Sequence, residues 1–582
     1  MTTSGRPDRS ISARLATRKV GDYVMSEIHS GLPIAVRALT RTVRTKSHTE
    51  LTLLDGVSFR VEPGELVAII GGSGAGKTTL LDAVAGLTPF TSGSVHFGGV
   101  DATANRRRFR SSVGYVPQDD IIHLDLALAA TLRYAAQLRL PSSASAEEID
   151  SAVTEVMDAV GLAAHADVRV RSLSGGQRKR ASIAVELLTR PQVFFLDEPT
   201  SGLDPVTSEE LIEHLRHVAD HSATVVFTTH SVDDLRWCDR IVFMARGGRL
   251  AFVGTLDEAL THFGVETVGE LYRCLADPQL VPLAAAEPEV AAEAIDTPSE
   301  PSRRPAGPFR QLSVLTRRTF EILLRNPLTL AILIGSPAMI VGMLAVLFRP
   351  GSFDFADPSP SSMVQIIFWV VFGAFFFGLT YGLLQICTER PILRRENFVG
   401  LRFGAYLASK LTVLVPFLFL VVVLMLGVLR LLDRLPGRSF ATYVTVGTSL
   451  LLCSIAALAL GLLTSAAVGN TAQATLALPM LCFPAVLFSG AILPVHLMAT
   501  VGAAFSTVIP SRWAFEAMGH DLGVRRILAE GGSPLGPPLL DSYGDGATSS
   551  LATYWIVLGV SIIVLLVATW LLLQRSTRRA TR

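Results

Sequence analysis

The sequence contains little cysteine and almost no net charge. Its five cysteines form no C-x-x-C pair, so we expect neither a disulfide framework nor a zinc site. The 51 Lys and Arg residues are balanced by 50 Asp and Glu residues, and the net charge of +1 argues against a general affinity for nucleic acid or another polyanion. The arginine clusters must therefore be interpreted one at a time.

The first 32 residues also lack an apolar core segment, which argues against a secretory signal peptide. We expect a flexible basic tail there; a folded appendage and a contact with the membrane surface are the alternatives. The apolar residues that make up 49% of the chain are concentrated in its C-terminal half. A chain of 582 residues should hold more than one domain.

A glycine-rich loop is the central motif of the N-terminal half. It follows the apolar run 66–70 and precedes an apolar helical stretch, the context that a P-loop of pattern G-x-x-x-x-G-K-[ST] requires. Backbone N–H groups of such a loop and the helix N-terminus bind phosphate, while the lysine reaches the β and γ phosphates and the first threonine binds Mg²⁺. The loop is formed by Gly71, Gly72, Ser73, Gly74, Ala75, Gly76, Lys77, Thr78 and Thr79.

Short apolar runs alternate with polar stretches around this loop. Continuous runs of Val, Ile and Phe between helices indicate a mostly parallel α/β sheet. Residues 146–160 are a predicted helix. Predicted strands lie at 34–39, 51–61, 66–70, 113–118, 193–196 and 224–229.

Further motifs lie at the ends of these elements. They are Gln118, the run Leu173-Ser174-Gly175-Gly176-Gln177 with Arg178-Lys179-Arg180 behind it, the strand end Asp197-Glu198, the run Ser201-Gly202-Leu203-Asp204, and His230. Together with the P-loop, their order and spacing resemble the nucleotide-binding domain of ATP-binding cassette (ABC) proteins. A P-loop alone occurs in many NTPases, whereas the Leu-Ser-Gly-Gly-Gln run is typical of this family.

The resemblance implies that the chain is an ATPase with ATP and Mg²⁺ as cofactors. Asp197 would hold Mg²⁺ together with Thr78 and Gln118, Glu198 would orient the attacking water, and His230 would sense the γ-phosphate. Taken singly, His230 is a polar residue at a strand end, Asp197-Glu198 begins a turn and Gln118 has no role. Their joint occurrence favours the catalytic interpretation.

The resemblance also implies a dimer. In this family the loop of Ser174, Gly175, Gly176 and Gln177 completes the ATP site of a second cassette, and Asp204 belongs to the same nucleotide-binding set. The chain carries one cassette, so hydrolysis requires a second copy of the chain or a homologous half-transporter. Family members usually place an aromatic residue against adenine, but the matching stretch 39–43 offers Arg41, which either stacks through its guanidinium plane or leaves adenine loosely held.

The C-terminal half contains six apolar stretches, each long enough to cross a bilayer core with about 20 helical residues. The predicted fold is therefore an α/β P-loop NTPase cassette followed by an all-α transmembrane domain of six helices. Lys and Arg at 310–325, 390–410 and 575–582 place these flanks on the cytoplasmic side with the cassette, although the arginines of 430–438 weaken the pattern. The stretches lie at 327–348, 363–387, 406–429, 441–467, 472–493 and 552–574.

Three connecting segments of this half have predicted positions. Apolar residues at near-helical spacing among the arginines of 309–323 predict an amphipathic helix at the membrane surface, or simply a flank that sets topology. Residues 389–410 resemble the cytoplasmic coupling loop of the G-subfamily. Two prolines and a glycine interrupt the fifth stretch and allow a bend or a gate, although both residue types also occur in ordinary spans. Residues 494–550 are predicted to lie outside.

The predicted domains are a flexible tail at 1–32, the cassette at 33–274, a linker rich in Ala, Pro and Glu at 275–307, and the transmembrane domain at 308–582. This order resembles the half-transporters of the G-subfamily, the White or eye-pigment type, in which a cassette precedes an ABC-2-type membrane domain.

The resemblance implies an ATP-driven exporter in the plasma or inner membrane that moves a hydrophobic or amphipathic substrate such as a lipid, glycolipid or drug. Membrane lipid is an expected partner and nucleic acid is not. The alternative is a mechanotransmission ATPase that regulates an extracytoplasmic partner without transport. The cargo and the choice between homodimer and heterodimer are left open.

Overall fold

A computed structural model describes residues 31–44, 48–109, 112–276, 306–543 and 550–580. We call residues 31–276 the cassette and residues 306–580 the membrane domain. The predicted flexible tail, apart from its last two residues, and the predicted linker, apart from its ends, lie outside the described residues.

The cassette contains two sheets. Its strands are β1 (Ile34–Arg44), β2 (Glu50–Val61), β3 (Leu66–Gly71), β4 (Ser92–Phe97), β5 (Val100–Asp101), β6 (Val113–Val116), β7 (Val193–Leu196), β8 (Thr224–Thr228), β9 (Arg240–Ala245) and β10 (Arg249–Gly254). In the described part of the chain, six strands form a sheet in the order β10-β9-β3-β8-β7-β6, and all its pairs except β9–β10 are parallel. The predicted parallel α/β sheet is therefore confirmed. A second, antiparallel sheet of order β2-β1-β4-β5 was not predicted as a separate layer.

Helices cover the parallel sheet. The helices of the cassette are α1 (Lys77–Val84), α2 (Arg106–Phe109), α3 (Leu128–Arg139), α4 (Ala146–Ala159), α5 (Gly175–Leu187), α6 (Pro205–His221), α7 (Leu256–Phe263) and α8 (Val268–Ala276). Every residue of β3, β7 and β8 is buried. Along β3, Leu66, Ala68 and Ile70 join one apolar core, whereas Val67 and Ile69 join the other. Alternation along a strand thus supplies both faces of the sheet, as a doubly covered parallel sheet requires.

The parallel strands bring the predicted motifs to one edge. The P-loop follows β3, Asp197 and Glu198 follow β7, and His230 lies just beyond β8. Because β3, β7 and β8 are neighbours and run in the same direction, their C-terminal ends meet at that edge. Ligands of open α/β sheets bind there.

The membrane domain is helical. Its helices are α9 (Pro308–Arg325), α10 (Pro327–Leu347), α11 (Pro360–Leu383), α12 (Arg390–Phe398), α13 (Phe403–Leu431), α14 (Phe440–Ala467), α15 (Thr471–Leu487), α16 (Thr500–Ser506), α17 (Pro510–Asp521), α18 (Val524–Glu530), α19 (Gly536–Tyr543) and α20 (Leu551–Ala580). Four helices among the described residues, α11, α13, α14 and α20, are long and apolar enough to cross a membrane. The prediction of an all-α domain with membrane-spanning helices is confirmed.

The predicted count of six full spans is not exact. The stretch at 327–348 forms α10, whose 21 residues extend about 32 Å, whereas the stretch at 472–493 forms the shorter apolar helix α15. With 17 residues, α15 extends about 25 Å, which is less than a hydrocarbon core of roughly 30 Å. It ends early because the chain turns at Gly490, whose φ of +82° is in the left-handed region that glycine tolerates best.

Small residues bring α11 and α14 together. A Cβ atom at Gly378 would lie 2.0 Å from the carbonyl oxygen of Ser454, and one at Gly461 would lie 2.5 Å from that of Leu379. The Ser454 hydroxyl donates a hydrogen bond of 2.9 Å to the carbonyl oxygen of Ala374. Close approach of backbones at glycine and a serine hydrogen bond between helices are typical of packed membrane helices.

The predicted amphipathic helix before the first span is α9. Its buried stripe consists of residues at i, i+3, i+4, i+7, i+8 and i+12. This spacing is that of one helix face. The face is not purely apolar, because it contains Gln311 and Arg318, whereas Phe309 is exposed. The stripe is formed by Gln311, Val314, Leu315, Arg318, Thr319 and Leu323.

Candidate nucleotide-binding site

The P-loop connects β3 to α1 through glycines that no other residue replaces easily. Gly74 and Gly76 have φ angles of +76° and +91°, and a Cβ atom at Gly76 would lie 2.9 Å from the carbonyl oxygen of Leu53. Left-handed backbone and close approach both favour glycine. The loop therefore directs its backbone to the N-terminus of α1, where N–H groups remain free for an anion.

Lys77 begins α1 and turns back over the loop. Its Nζ donates to the carbonyl oxygens of Gly71 at 3.0 Å and Gly72 at 3.4 Å. Burial lowers the pKa of the Lys77 ammonium, while the nearby Glu198 and Asp197 carboxylates oppose that shift. The lysine is thus placed between the P-loop and the carboxylates that end β7.

Asp197 joins the P-loop to β7. Its Oδ1 accepts hydrogen bonds from the hydroxyl of Thr78 at 3.1 Å and from that of Thr228 at 2.6 Å. The carboxylate is buried, and its position follows from the buried strand that precedes it. The structure therefore brings together two of the three predicted Mg²⁺ ligands.

Both carboxylate oxygens of Glu198 are engaged. Gln118 Nε2 donates to Oε2 at 2.9 Å, and His230 Nε2 lies 2.6 Å from Oε1. The backbone of Glu198 has a φ of +44°, which is uncommon outside glycine and points to a constrained position. Its N–H donates to the Thr228 hydroxyl at 2.8 Å, and this bond helps to hold the strained backbone.

The residues of this cluster fit a magnesium nucleotide. The Thr78 hydroxyl and the Asp197 carboxylate are oxygen ligands of the kind that Mg²⁺ prefers, and they lie within hydrogen-bond distance of each other. The loop N–H groups and Lys77 supply donors for phosphate. The polar, partly buried setting of Glu198 suits a general base.

The second predicted set lies at the starts of α5 and α6. Ser174 accepts from the N–H of Gln177 at 3.2 Å and donates its own N–H to the Gln177 side chain at 3.0 Å, which forms a capping box. Asp204 caps α6 through the N–H and hydroxyl of Thr207, and these bonds lower the pKa of its carboxyl.

Gly176 lies against α6, since a Cβ atom there would meet the Thr207 methyl group at 2.5 Å. Gly175 begins α5 with nothing near its Cα, so the end of the helix is open to a partner. Within the described residues, the hydrogen bonds of the Ser174, Gln177 and Asp204 side chains are local to these two helix starts and to His165. The structure thus places the first and second sets at separate positions of one chain.

A hydrogen bond fixes the Arg41 side chain. Its Nη1 donates to the hydroxyl of Thr88 at 2.7 Å. The guanidinium group is thereby fixed beside the end of α1, and stacking on adenine remains a prediction.

Two residues that hold the site were not assigned from the sequence. Lys179 is buried in α5 and donates to the carbonyl oxygens of Pro117 at 3.0 Å and Gln118 at 2.8 Å. Thr228 links Asp197 to Glu198, as described above. Lys179 lies within the Arg178-Lys179-Arg180 run, so the sequence motif already marked its position. Thr228 carries no signal beyond its place two residues before His230.

The cassette and the membrane domain meet through a buried ion cluster. Arg395 of α12 donates to Glu186 of α5, to the carbonyl oxygen of Ile121 at 2.7 Å and to that of Ser182 at 2.9 Å. Arg139 of α3 donates to the same Glu186 oxygen at 2.9 Å. Burial by itself raises the pKa of the Glu186 carboxyl, but the two arginines lower it to about 2. The carboxylate is therefore ionised at neutral pH.

A second ion pair links α12 to α9, and a third links its N-terminal end to α13. Arg318 forms a two-point pair with Glu396, and both side chains are almost completely buried. Lys410 Nζ lies 2.8 Å from Glu389, whose Oε2 also accepts from the Tyr406 hydroxyl at 2.8 Å. The short helix α12 is thus tied on one side to the cassette and on the other to two helices of the membrane domain.

Comparison with known proteins gives two adjacent family matches. The ABC transporter family model matches residues 54–201, and the ABC-2 type transporter model matches residues 310–520. The ABC transporter ATP-binding/permease protein Rv1747 of Mycobacterium tuberculosis is 34% identical over 504 residues, covering 83% of this chain and 56% of that protein.

Two further similarities concern the cassette alone or little more. The broad substrate specificity ATP-binding cassette transporter ABCG2 of Bos taurus is 35% identical over 238 residues, covering 39% of this chain and 36% of that protein. The dimeric structure of MJ0796, a bacterial ABC transporter cassette, is 26% identical and covers 38% of this chain and 98% of that one, with a TM-score of 0.36. The chain spans about half the length of Rv1747 and about a third of ABCG2.

Proposed function

This chain belongs to the ABC transporters, with an ATPase-family cassette N-terminal to an ABC-2 type membrane domain as in the G-family half-transporters, and we propose that it is an ATP-driven exporter that works as a dimer. Its substrate is hydrophobic or amphipathic, such as a lipid, glycolipid or drug, and leaves the cytoplasm or the inner leaflet. Apolar membrane helices with few charged side chains support a substrate of this class.

The residues of the site have distinct tasks in ATP hydrolysis. Lys77 and the P-loop N–H groups would hold the phosphates, and Thr78, Asp197 and Gln118 would hold Mg²⁺, which would supply positive charge beside the phosphates. Glu198 accepts a proton from the attacking water. Gln118 and His230 hold one lone pair of each Glu198 oxygen, which orients the carboxylate and leaves a further lone pair on each oxygen for a water proton.

The observation that carries the proposal is the short path from this site to the membrane domain. Gln118 contacts Glu198 through its side chain, and Ile121, three residues further, accepts a hydrogen bond from Arg395 of α12. Residues 118–121 therefore connect Glu198 to the membrane domain through two hydrogen bonds. Such a contact is what a transporter needs to convert hydrolysis into helix movement.

The dimer is supported by the separation of the two predicted sets. The open N-terminus of α5 lies apart from the P-loop of its own chain, and it is suited to the phosphates bound by a partner chain. With Lys77, Asp197 and Glu198 all present, a homodimer has two complete sites. ATP closes the pair to the extent that it binds the closed state more tightly than the open one.

We place the protein in a plasma or inner membrane with its cassette on the cytoplasmic side. The arginines of α12 and α9 support this orientation, because Lys and Arg near helix ends are enriched on the cytoplasmic side. The ATP supply of the cell lies on the same side.

The test uses purified protein in lipid vesicles with the cassette outside. ATP hydrolysis and uptake of fluorescent lipids or amphipathic drugs are measured for the parent and for Glu198→Gln. Export predicts that one ligand class stimulates hydrolysis and accumulates inside the vesicle only with the parent. Hydrolysis without movement of any ligand would favour mechanotransmission to a partner, and no hydrolysis in folded protein would exclude a self-sufficient homodimer.

A further inference from the structure

A cleft of about 690 Å³ lies where the membrane domain meets the cassette. One wall is the cassette segment from the end of α1 through β4 to β6, and the other is α12 with the ends of α11 and α14. Its volume is that of a site for one drug-sized ligand. It is lined by the C-terminal end of α1 and by no residue of the P-loop, which precedes the N-terminus of the same helix.

The cassette wall of the cleft is apolar and aromatic. Leu87, Phe90, Phe97, Phe109 and Val113 line it. The rings of Phe97 and Phe109 meet edge to face with centroids 5.3 Å apart, which makes this wall rigid. An apolar chain that lay against this wall would be removed from water.

The opposite wall is basic. In the described part of the chain, the charged residues that line the cleft are four arginines and one glutamate, and three of the arginines lie on α12. The glutamate is Glu186, which Arg139 and Arg395 already neutralise. Arg390 and Arg394 remain, and among the described residues Arg394 makes no hydrogen bond or ion pair, whereas Arg390 donates only to the carbonyl oxygen of Ala466.

Neither arginine forms an ion pair among the described residues; Arg390 is half-buried and Arg394 is exposed. They lie at i and i+4 on α12, so they share one face, where like charges repel. Arg390 also lies at the positive end of the helix dipole, where cations are disfavoured. Burial and the neighbouring Arg394 both lower the pKa of Arg390.

We propose that this cleft binds a long-chain fatty acid, whose acyl chain lies along the wall of Phe90 and Phe97 and whose carboxylate pairs with Arg390 and Arg394. A single acyl chain with one anionic end matches an apolar wall that faces two unpaired arginines across one cleft. The inference does not depend on which substrate is exported. Because α12 forms one wall, occupancy of the cleft alters how the cassette and the membrane domain are held together.

The experiment uses the full chain in nanodiscs of phosphatidylcholine and a palmitate analogue that carries a photoreactive diazirine in its chain. After irradiation, mass spectrometry locates the labelled peptides. We expect saturable labelling within residues 83–113 and 387–399 that unlabelled palmitate displaces. Arg394→Glu is expected to weaken labelling about tenfold or more, because it reverses the charge that no other residue balances.

Three controls keep the result interpretable. Arg44→Glu reverses an exposed arginine of the same cassette and is expected to leave labelling unchanged. Phe90→Asp is expected to weaken labelling because it places a charge in the apolar wall. Arg394→Gln replaces Arg394→Glu in the assay if the charge reversal prevents folding. Parent-like thermal unfolding of each variant shows that loss of labelling is not loss of structure.

Other outcomes overturn the proposal. Equal labelling of the parent and Arg394→Glu, or equal labelling by the corresponding fatty alcohol, would show that the arginines bind no carboxylate. Labelling only by a phosphatidylglycerol probe would assign the cleft to a two-chain lipid. If labelling appeared only after the acidic residues of 277–305 had been replaced by neutral ones, that segment of the chain would be the occupant of the cleft in place of a fatty acid.

Discussion

Arg395 of the membrane domain donates its Nε proton to Glu186 of the cassette at 2.5 Å. Both side chains are almost entirely buried, and Arg139 shares the same carboxylate. Glu186 lies in α5, whose N-terminus is the part predicted to face the nucleotide of a second chain. The Glu186 carboxylate therefore joins α5, which would respond to a partner's ATP, to α12 of the membrane domain.

Replacing Glu186 by Gln is expected to destabilise the junction strongly. Two buried guanidinium groups would lose their anion, and breaking such a cluster costs about 3–5 kcal/mol. Thermal unfolding of the full chain in lipid measures the effect. Breaking the exposed pair of Arg190 and Glu155 in the same way is the matched control and should cost no more than about 1 kcal/mol.

Replacing all three members of the cluster by Met separates stability from coupling. Apolar residues of similar volume are expected to restore stability close to that of the parent. In this variant the substrate should nevertheless no longer stimulate ATP hydrolysis, because no polar link then joins α5 to α12. A triple variant that retains parent-like stimulation would show that the cluster only fastens the two parts together.

Glu198→Gln is expected to reduce ATP hydrolysis by about 10² to 10⁴, the usual contribution of a positioned general base. The amide keeps the shape of the side chain but accepts a proton poorly. ATP binding, measured with a fluorescent nucleotide, should remain because the P-loop and Lys77 are unchanged. If hydrolysis continued at the parent rate, Glu198 would not be the base.

Lys179→Met is expected to lower the hydrolysis rate about 10- to 100-fold, since it releases the backbone that positions Gln118 and small displacements of catalytic groups have effects of this size. The loss should appear in kcat with little change in KM, because Lys179 does not contact the P-loop. Arg133→Met, which breaks an exposed pair with Asp150, is the control. A change confined to KM would contradict a positioning role.

His123 makes the junction sensitive to acid. Burial and the charge of Arg318 lower the pKa of His123 to about 4, although Glu389 and Glu396 oppose the shift and Lys410 adds to it. Its buried Nε2 has no hydrogen-bond partner among the described residues. Between the usual pKa of 6.5 and about 4, the unfolded chain binds a proton that the folded chain does not, so stability falls as pH falls through this window.

The check is thermal unfolding of the full chain between pH 4 and 7. His123→Leu should reduce the loss of stability on acidification, whereas replacing the exposed His496 by Leu should not. Identical pH profiles of His123→Leu and the parent would assign the acid sensitivity to other groups.

Much of the cassette was predictable from local sequence. The P-loop, the strand that ends in Asp197-Glu198 and the caps of α5 and α6 are contiguous, so backbone hydrogen bonding and glycine geometry act on neighbours in the chain. The parallel sheet followed from continuous apolar runs, and its direction brought Lys77, Asp197 and His230 to one edge.

The ends of the membrane helices were less predictable. Apolar composition indicates that a stretch can enter a bilayer, but it does not say where the helix stops. The fifth stretch ends at Leu487 because the chain turns at Gly490. The fifth of the six apolar stretches therefore forms a helix shorter than a full span.

The sequence by itself determined the chemical groups of this protein, because a glycine-rich loop, two carboxylates after a buried strand and apolar helices each consist of a short run of residues. Only the tertiary structure decided how that chemistry reaches the membrane. Arg395 and Glu186 are separated by 209 positions, and Gln118 lies within hydrogen-bond distance of Glu198 across 80. Contacts over such separations depend on how whole elements pack, and no local pattern of residues specifies which buried arginine will meet which carboxylate.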